Sequence, residues 1–205
     1  MQLYLNNQSR YNCDKCTNRC DDHSKSAYIF EEDVAFSAKA EDYLFNHLIN
    51  LGLTVKKEPS QRHGLPDIAI VRDNDVIGRL EVKAQRRAFM SIETKLPYAR
   101  LHPYEALALN LSDLERYIEL YKNEKLPIFI IWYVKRECIG EGYWGQSIDI
   151  LNDIYLKYGN KRRFQRKTTK SDIIDGEHKG VTVNYHFSLN ELLHIDEIDK
   201  KLIKL

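Results

Sequence analysis

Seven consecutive apolar residues, Ile128-Phe129-Ile130-Ile131-Trp132-Tyr133-Val134, form the longest unbroken apolar run in the chain. A membrane-crossing helix needs roughly 20 such residues, so the run reads as a strand opened by Pro127. Upstream of it the pattern gives helix, strand, strand, strand, helix. That order points to an α/β (α+β) fold, a mixed central sheet flanked by helices.

Val34, Phe36, Ala40, Leu44, Leu48 and Leu51 share one helical face, with Asp33 as the expected N-cap and Gly52 as the stop. A short strand over 53–58 and a loop over 59–64 follow. Pro66 opens the run Asp67-Ile68-Ala69-Ile70-Val71, Arg72-Asp73-Asn74-Asp75 reads as a turn, and 76–84 as the returning strand of a hairpin. Helical spacing covers 104–122. Beyond Lys135 the expected elements are a helix over 149–157, a basic segment over 161–170, a strand over 181–187 and a closing helix over 188–204.

The 205 residues, 43% hydrophobic and 30% charged, suit one globular domain with some elaboration. The expected division is an arm over 1–32, a core over 33–135 and a C-terminal extension over 136–205 that packs on the core. The N-terminal stretch MQLYLNNQSRYN has no basic start followed by a long apolar run, so no secretory signal is read and an intracellular protein without a membrane partner is expected. Net charge is +1, too small for a global field to announce a nucleic-acid partner. Any such partner must be read from local patches.

The informative stretch is Gly64-Leu65-Pro66-Asp67, followed by Glu81-Val82-Lys83. Residues two apart on a strand share a face, so Glu81 and Lys83 project together while Val82 points away. Hairpin pairing can set Asp67 beside Glu81, bringing two carboxylates and an ammonium to one spot. Hard carboxylate oxygens bind Mg²⁺ or Mn²⁺, which can polarise a phosphodiester and lower the pKa of a bound water. A lysine there can orient that water, take its proton or neutralise transition-state charge, and the sequence leaves these roles open.

On these residues the chain resembles the PD-(D/E)xK nuclease superfamily, whose members share a restriction-endonuclease-like core and include RecB-like and Holliday-junction-resolvase-like enzymes. Pro66-Asp67 matches the PD element and Glu81-Val82-Lys83 the (D/E)xK element. The resemblance covers roughly 33–135 and implies a metal-dependent nuclease acting on DNA more readily than RNA. It also implies a further acid in the first helix, for which Glu41 is the match, and a polar residue beside the motif, for which Gln85 is the match.

Cys13-x2-Cys16-x3-Cys20-x2-His23 offers three thiolates and an imidazole, a set suited to tetrahedral structural zinc. With Cys138 as a fourth thiolate, the cluster reads instead as an iron–sulfur site. RecB-like nucleases with such clusters usually place one cysteine before the core and three after it; here the order is reversed.

Phosphate contacts are expected from Arg86 and Arg87, just past the motif, and from Lys161, Arg162, Arg163, Arg166 and Lys167, with Phe164 available to stack. Arg100 and His102 are further candidates to reach the site. The 13 tyrosines read as core and sheet packing.

Three functions follow. The first is a Mg²⁺-dependent nuclease, for which double-strand cutting by one site per chain would favour a homodimer. The second is a non-cleaving nucleic-acid-binding module with a zinc knuckle on a nuclease-like scaffold. The third is a zinc protein with a protein partner, the hairpin charges being incidental, which a Glu81 and Lys83 face remote from Asp67 would support.

Overall fold

A computed structural model of the chain describes residues 30–59, 64–136, 138–165, 173–174, 177–178 and 183–205. The Cys13, Cys16, Cys20 and His23 cluster and the basic residues Arg166 and Lys167 lie outside them.

Helix α1 (Phe30–Asn50) begins three residues before the expected cap, with Glu31, Glu32 and Asp33 inside its first turn. Carboxylates at a helix N-terminus complement the dipole, so Asp33 belongs to the helix rather than capping it. Ala40, Leu44 and Leu48 form its buried stripe. Gly52, at φ +84°, ends it: Gly52 N donates to Ile49 O and Leu53 N to Leu48 O, a Schellman closure that side chains with a Cβ rarely adopt.

Strand β1 (Val55–Lys57) pairs antiparallel with β2 (Ile68–Arg72), which pairs with β3 (Asp75–Gln85). Asp73 and Asn74 both have positive φ, the left-handed pair of a two-residue hairpin turn. After α2 (Ile92–Lys95), the stretch read as one helix divides into β4 (Ala106–Asn110) and α3 (Leu111–Glu124). Ala106-Leu107-Ala108-Leu109 suits either period, and pairing with a distant strand decides it.

Strand β5 (Ile128–Arg136) runs parallel to β3, and β6 (Gly140–Ser147) returns antiparallel to β5. Next come α4 (Ile148–Tyr158), a 3₁₀ turn over Gly159–Arg162, β7 (Arg163–Gln165), the short pair β8 (Ile173–Ile174) and β9 (Glu177–His178), and β10 (Val183–Ser188). The expected closing helix is broken. Ser188 and Glu191 form a capping box over a 3₁₀ turn, Leu193–His194 makes β11, and only Ile195–Leu202 is helix, α5.

Among the described residues the strands form three sheets: β1-β2-β3-β5-β6-β11, β4-β10-β7 and β8-β9. Strand β5 is apolar on both faces because both are covered. Ile128, Ile130, Trp132 and Val134 pack toward α3, α4 and β10, whereas Phe129, Ile131 and Tyr133 pack toward α1 and α5. No described helix is long and apolar enough to cross a membrane.

Candidate active site on the β2–β3 hairpin

The hairpin register pairs Ile68 with Leu80, and one step further sets Asp67 opposite Glu81. Asp67 is pinned there because Val82 N donates to its Oδ2 at 2.8 Å while Glu58 N donates to its backbone oxygen at 2.8 Å. Lys83 Nζ lies 2.6 Å from Glu81 Oε1 and 3.2 Å from Asp113 Oδ2. The three motif residues therefore meet at one place, without the separation that would have supported the incidental-charge reading.

Helix α3 closes the site with residues that the sequence reading passed over. Asp113 also accepts from Arg116 Nη2 at 2.7 Å. The Tyr117 hydroxyl lies beside Glu81, whose Oε2 is otherwise buried with no hydrogen-bond partner. A Cβ on Gly64 would come within 3.5 Å of the Arg116 side chain, so the loop before Asp67 lies against α3. The signal for these residues is Asp113, Arg116 and Tyr117 at i, i+3 and i+4, two charged groups on the side of the helix that also buries Leu114.

Burial, then the charge of Glu81, pushes the Asp67 carboxyl up to about 7, against the opposing pull of the Val82 amide and Lys83. Burial pulls the Lys83 ammonium down, but Glu81 and Asp113 outweigh it and raise its pKa, so Lys83 is a cation at neutral pH. Burial and Glu81 likewise hold the Tyr117 hydroxyl protonated.

The other expected site residues are placed as follows. Glu41 is near enough to act on the titration of Asp67, yet its Oε1 lies 2.8 Å from Lys57 Nζ. Gln85 spends its amide on backbone: Oε1 accepts from Ala108 N at 2.9 Å and Nε2 approaches Arg87 O and Ala106 O. These bonds clamp β3 to β4. Arg86 lies 2.6 Å from Asp33, and Arg87 3.4 Å from it, at the N-terminus of α1.

Arg162 is a correction: 2% exposed, it donates to both oxygens of Glu191 and stacks 3.6 Å over the Tyr158 ring, so its guanidinium locks the fold instead of meeting phosphate. Phe164 packs on Phe89 at 4.9 Å and is not available to stack on a base. Lys161 and Arg163 are exposed. His102 pairs with Glu93 and stacks on Tyr104. Cys138 is half-buried in the turn between β5 and β6.

Among the described residues, no three His, Cys, Asp or Glu side chains lie together as a metal-binding group. The donor chemistry of the Asp67 and Glu81 pair nevertheless fits a hard divalent cation. One carboxylate oxygen of Glu81 is buried without a hydrogen-bond partner, and the Asp67 carboxyl is pushed up to about 7 by burial and then by the charge of Glu81.

No protein-family model matches the chain, and no curated protein matches it significantly. Among solved structures it is similar to a nuclease from a fusselovirus, at 16% identity and a TM-score of 0.45, over 84% of this chain and 93% of that one. It is similar also to Hjc, a Holliday junction resolvase from the archaeal hyperthermophile Archaeoglobus fulgidus, at 12% identity and a TM-score of 0.45, over 80% of this chain and 95% of that one.

Proposed function

We propose that the chain is a divalent-metal-dependent nuclease with a restriction-endonuclease-like core. The observation that carries the reading is the meeting of Asp67, Glu81 and Lys83, with an unpartnered Glu81 oxygen and an Asp67 carboxyl raised to about 7. Asp67 and Glu81 would hold Mg²⁺ or Mn²⁺. When bound, the ion would polarise a phosphodiester and lower the pKa of a water.

The chain's own groups do the rest. Lys83, fixed between Glu81 and Asp113 and kept protonated, places a positive charge where negative charge develops in the transition state. It serves as a cation rather than a base. Arg116, 41% exposed beside Asp113, can donate to a phosphate without leaving its carboxylate. Glu41 assists if it exchanges Lys57 for the cation. Arg86, Arg87, Lys161, Arg163, Arg166 and Lys167 are proposed phosphate contacts.

DNA is preferred over RNA on the motif's resemblance, and duplex cutting would call for two copies of the chain. Cys13, Cys16, Cys20 and His23 are proposed to hold structural zinc in the arm over 1–32, ahead of the core over 33–135 and the extension over 136–205. Elemental analysis of the purified chain is expected to find one zinc per chain, lost in Cys16→Ser. Iron in its place would favour the cluster that includes Cys138.

The test of the main reading is cleavage of labelled single- and double-stranded DNA with Mg²⁺ or Mn²⁺ against an EDTA control; the product ladder then separates internal from terminal attack. The ion pairs that engage Glu41 and Lys83 also suit a non-cleaving binding module. Under that reading the same DNA is bound but stays intact with either metal.

A further inference from the structure

A groove of about 750 Å³ opens beside α1 between Phe36 and His47, lined by Phe36, Tyr43, Tyr133 and Tyr143 with Lys39 and Lys135. Its rings belong to the sheet face that carries Val82 and Ala84, opposite the face of Glu81 and Lys83. The four rings form one chain of contacts. Phe36 meets Tyr133 at 5.0 Å, Tyr133 meets Tyr143 at 4.8 Å, and Tyr143 meets Tyr43 at 5.4 Å, within 8° of parallel.

The inner rings are explained by packing. Tyr143 is 7% exposed and its hydroxyl donates to Ala40 O at 2.9 Å. Packing on Tyr143 and, at 6.5 Å and 6° from parallel, on His47 still leaves Tyr43 62% exposed. Such a ring at the mouth of a groove offers its face to a planar ligand.

The charges around it narrow the choice. Lys39 stands one helical turn before Tyr43 on the groove wall and makes no ion pair among the described residues. Glu141 is the lone carboxylate in the lining and is already held by Lys135 at 2.8 Å and by Tyr133. Arg86 lies 5.6 Å over the Phe36 ring at the far end, where it also pairs with Asp33 and Glu32 and would exchange them for a phosphate. It follows Lys83 by three residues on the chain, roughly 10 Å at the rise of a strand. Rings in series with cations beside them are what an unpaired nucleic-acid strand requires, bases on the rings and phosphates on the cations. A paired base spends both faces on its own stack.

We propose that this groove binds unpaired nucleotides, stacked on Tyr43 with their phosphates at Lys39, and leads past Arg86 around the end of β3 to Asp67 and Glu81. The proposal rests on the nuclease reading for its purpose, and its test does not depend on cleavage. The affinity of the full chain is measured in EDTA by fluorescence anisotropy. The probes are a short deoxyuridine strand, the matching uridine strand and a duplex of equal length.

Tyr43→Ala is expected to weaken single-strand binding about tenfold, within the range of one base–ring stack, and to leave duplex binding unchanged. Tyr43→Trp is expected to retain binding, and a 2-aminopurine strand to be quenched by the wild type but not by Tyr43→Ala. The tighter of the two strands assigns the sugar. Unchanged single-strand affinity in Tyr43→Ala, circular dichroism showing it folded, overturns the proposal, as does an equal loss on strand and duplex. A chain that binds strands through Tyr43 and cuts nothing would sink the nuclease reading and leave the groove.

Discussion

Asp67 carries the site's pH dependence. Its folded pKa, about 7, lies above the ordinary carboxylate value, so folding favours the protonated form. The stability it lends is complete in acid and lost as pH rises through about 7. Asp67→Asn is therefore expected to raise Tm at pH 8, by the equivalent of about 1–3 kcal/mol, and to change it little at pH 4. Under the nuclease reading, metal bound at Asp67 would displace the same proton. Calorimetric affinity for Mn²⁺ is expected to fall about tenfold per pH unit below 7, with proton release visible as a dependence on buffer; a flat profile from pH 6 to 8 would remove Asp67 from the ligand set. Asp113→Asn takes one of two acids from Lys83 and is expected to slow cleavage about tenfold, the loss of one charge-assisted bond of roughly 1.5 kcal/mol. The alkaline limb of its pH–rate profile should move down while Mn²⁺ affinity holds. Asp67, Glu81 and Lys83 were legible because a hairpin register is local. Asp113, Arg116 and Tyr117 were not, because only the packing of α3 brings them there.

Strand β6 shows what an element can hide. Gly140, Gly142 and Gly145 dilute its strand character, so the sequence signal fades where the sheet in fact continues. The glycine at 145 is required by closeness: a Cβ there would sit 2.5 Å from Ile130 O and 2.6 Å from the Ile131 side chain. Gly145→Ala is expected to cost about 1–3 kcal/mol in urea denaturation, the usual toll of overpacking; no loss would mean β6 does not lie so near β5. Strand β10 carries a second sensitivity. His186, 3% exposed between Phe89 and Phe164, is held neutral by burial with its pKa lowered to about 4. The unfolded chain takes up that proton first, so stability is expected to fall by on the order of 3 kcal/mol between pH 6.5 and 4, a slope that His186→Gln should flatten. Helix α1 and the hairpin were readable from period and turn chemistry. The division of 104–122 into β4 and α3 was not, since β4 exists only against β10.

Across the whole molecule the C-terminal third is part of the same structure as the site. Strand β5, which aligns Ile130 and Trp132 with Glu81 and Lys83, is itself held on its other side by β6, and α4 and α5 cover its faces. A chain ending at residue 139 is expected to show no cooperative unfolding by circular dichroism, although it keeps every motif residue. The apolar run of β5 foretold a central strand. Of what covers it, α4 and β10 lie close to the helix expected over 149–157 and the strand expected over 181–187, whereas β6 and the broken closing helix come from residues whose own patterns were weak. The most direct measurement is cleavage of labelled DNA in Mg²⁺ or Mn²⁺ by the wild type and Asp67→Ala side by side, with anisotropy on the same DNA in EDTA. The expected result is metal-dependent cutting by the wild type, a loss of at least about 100-fold in Asp67→Ala, and binding retained by both. Cutting by Asp67→Ala at the wild-type rate, or a folded wild type that binds DNA and leaves it whole with both metals, would contradict it.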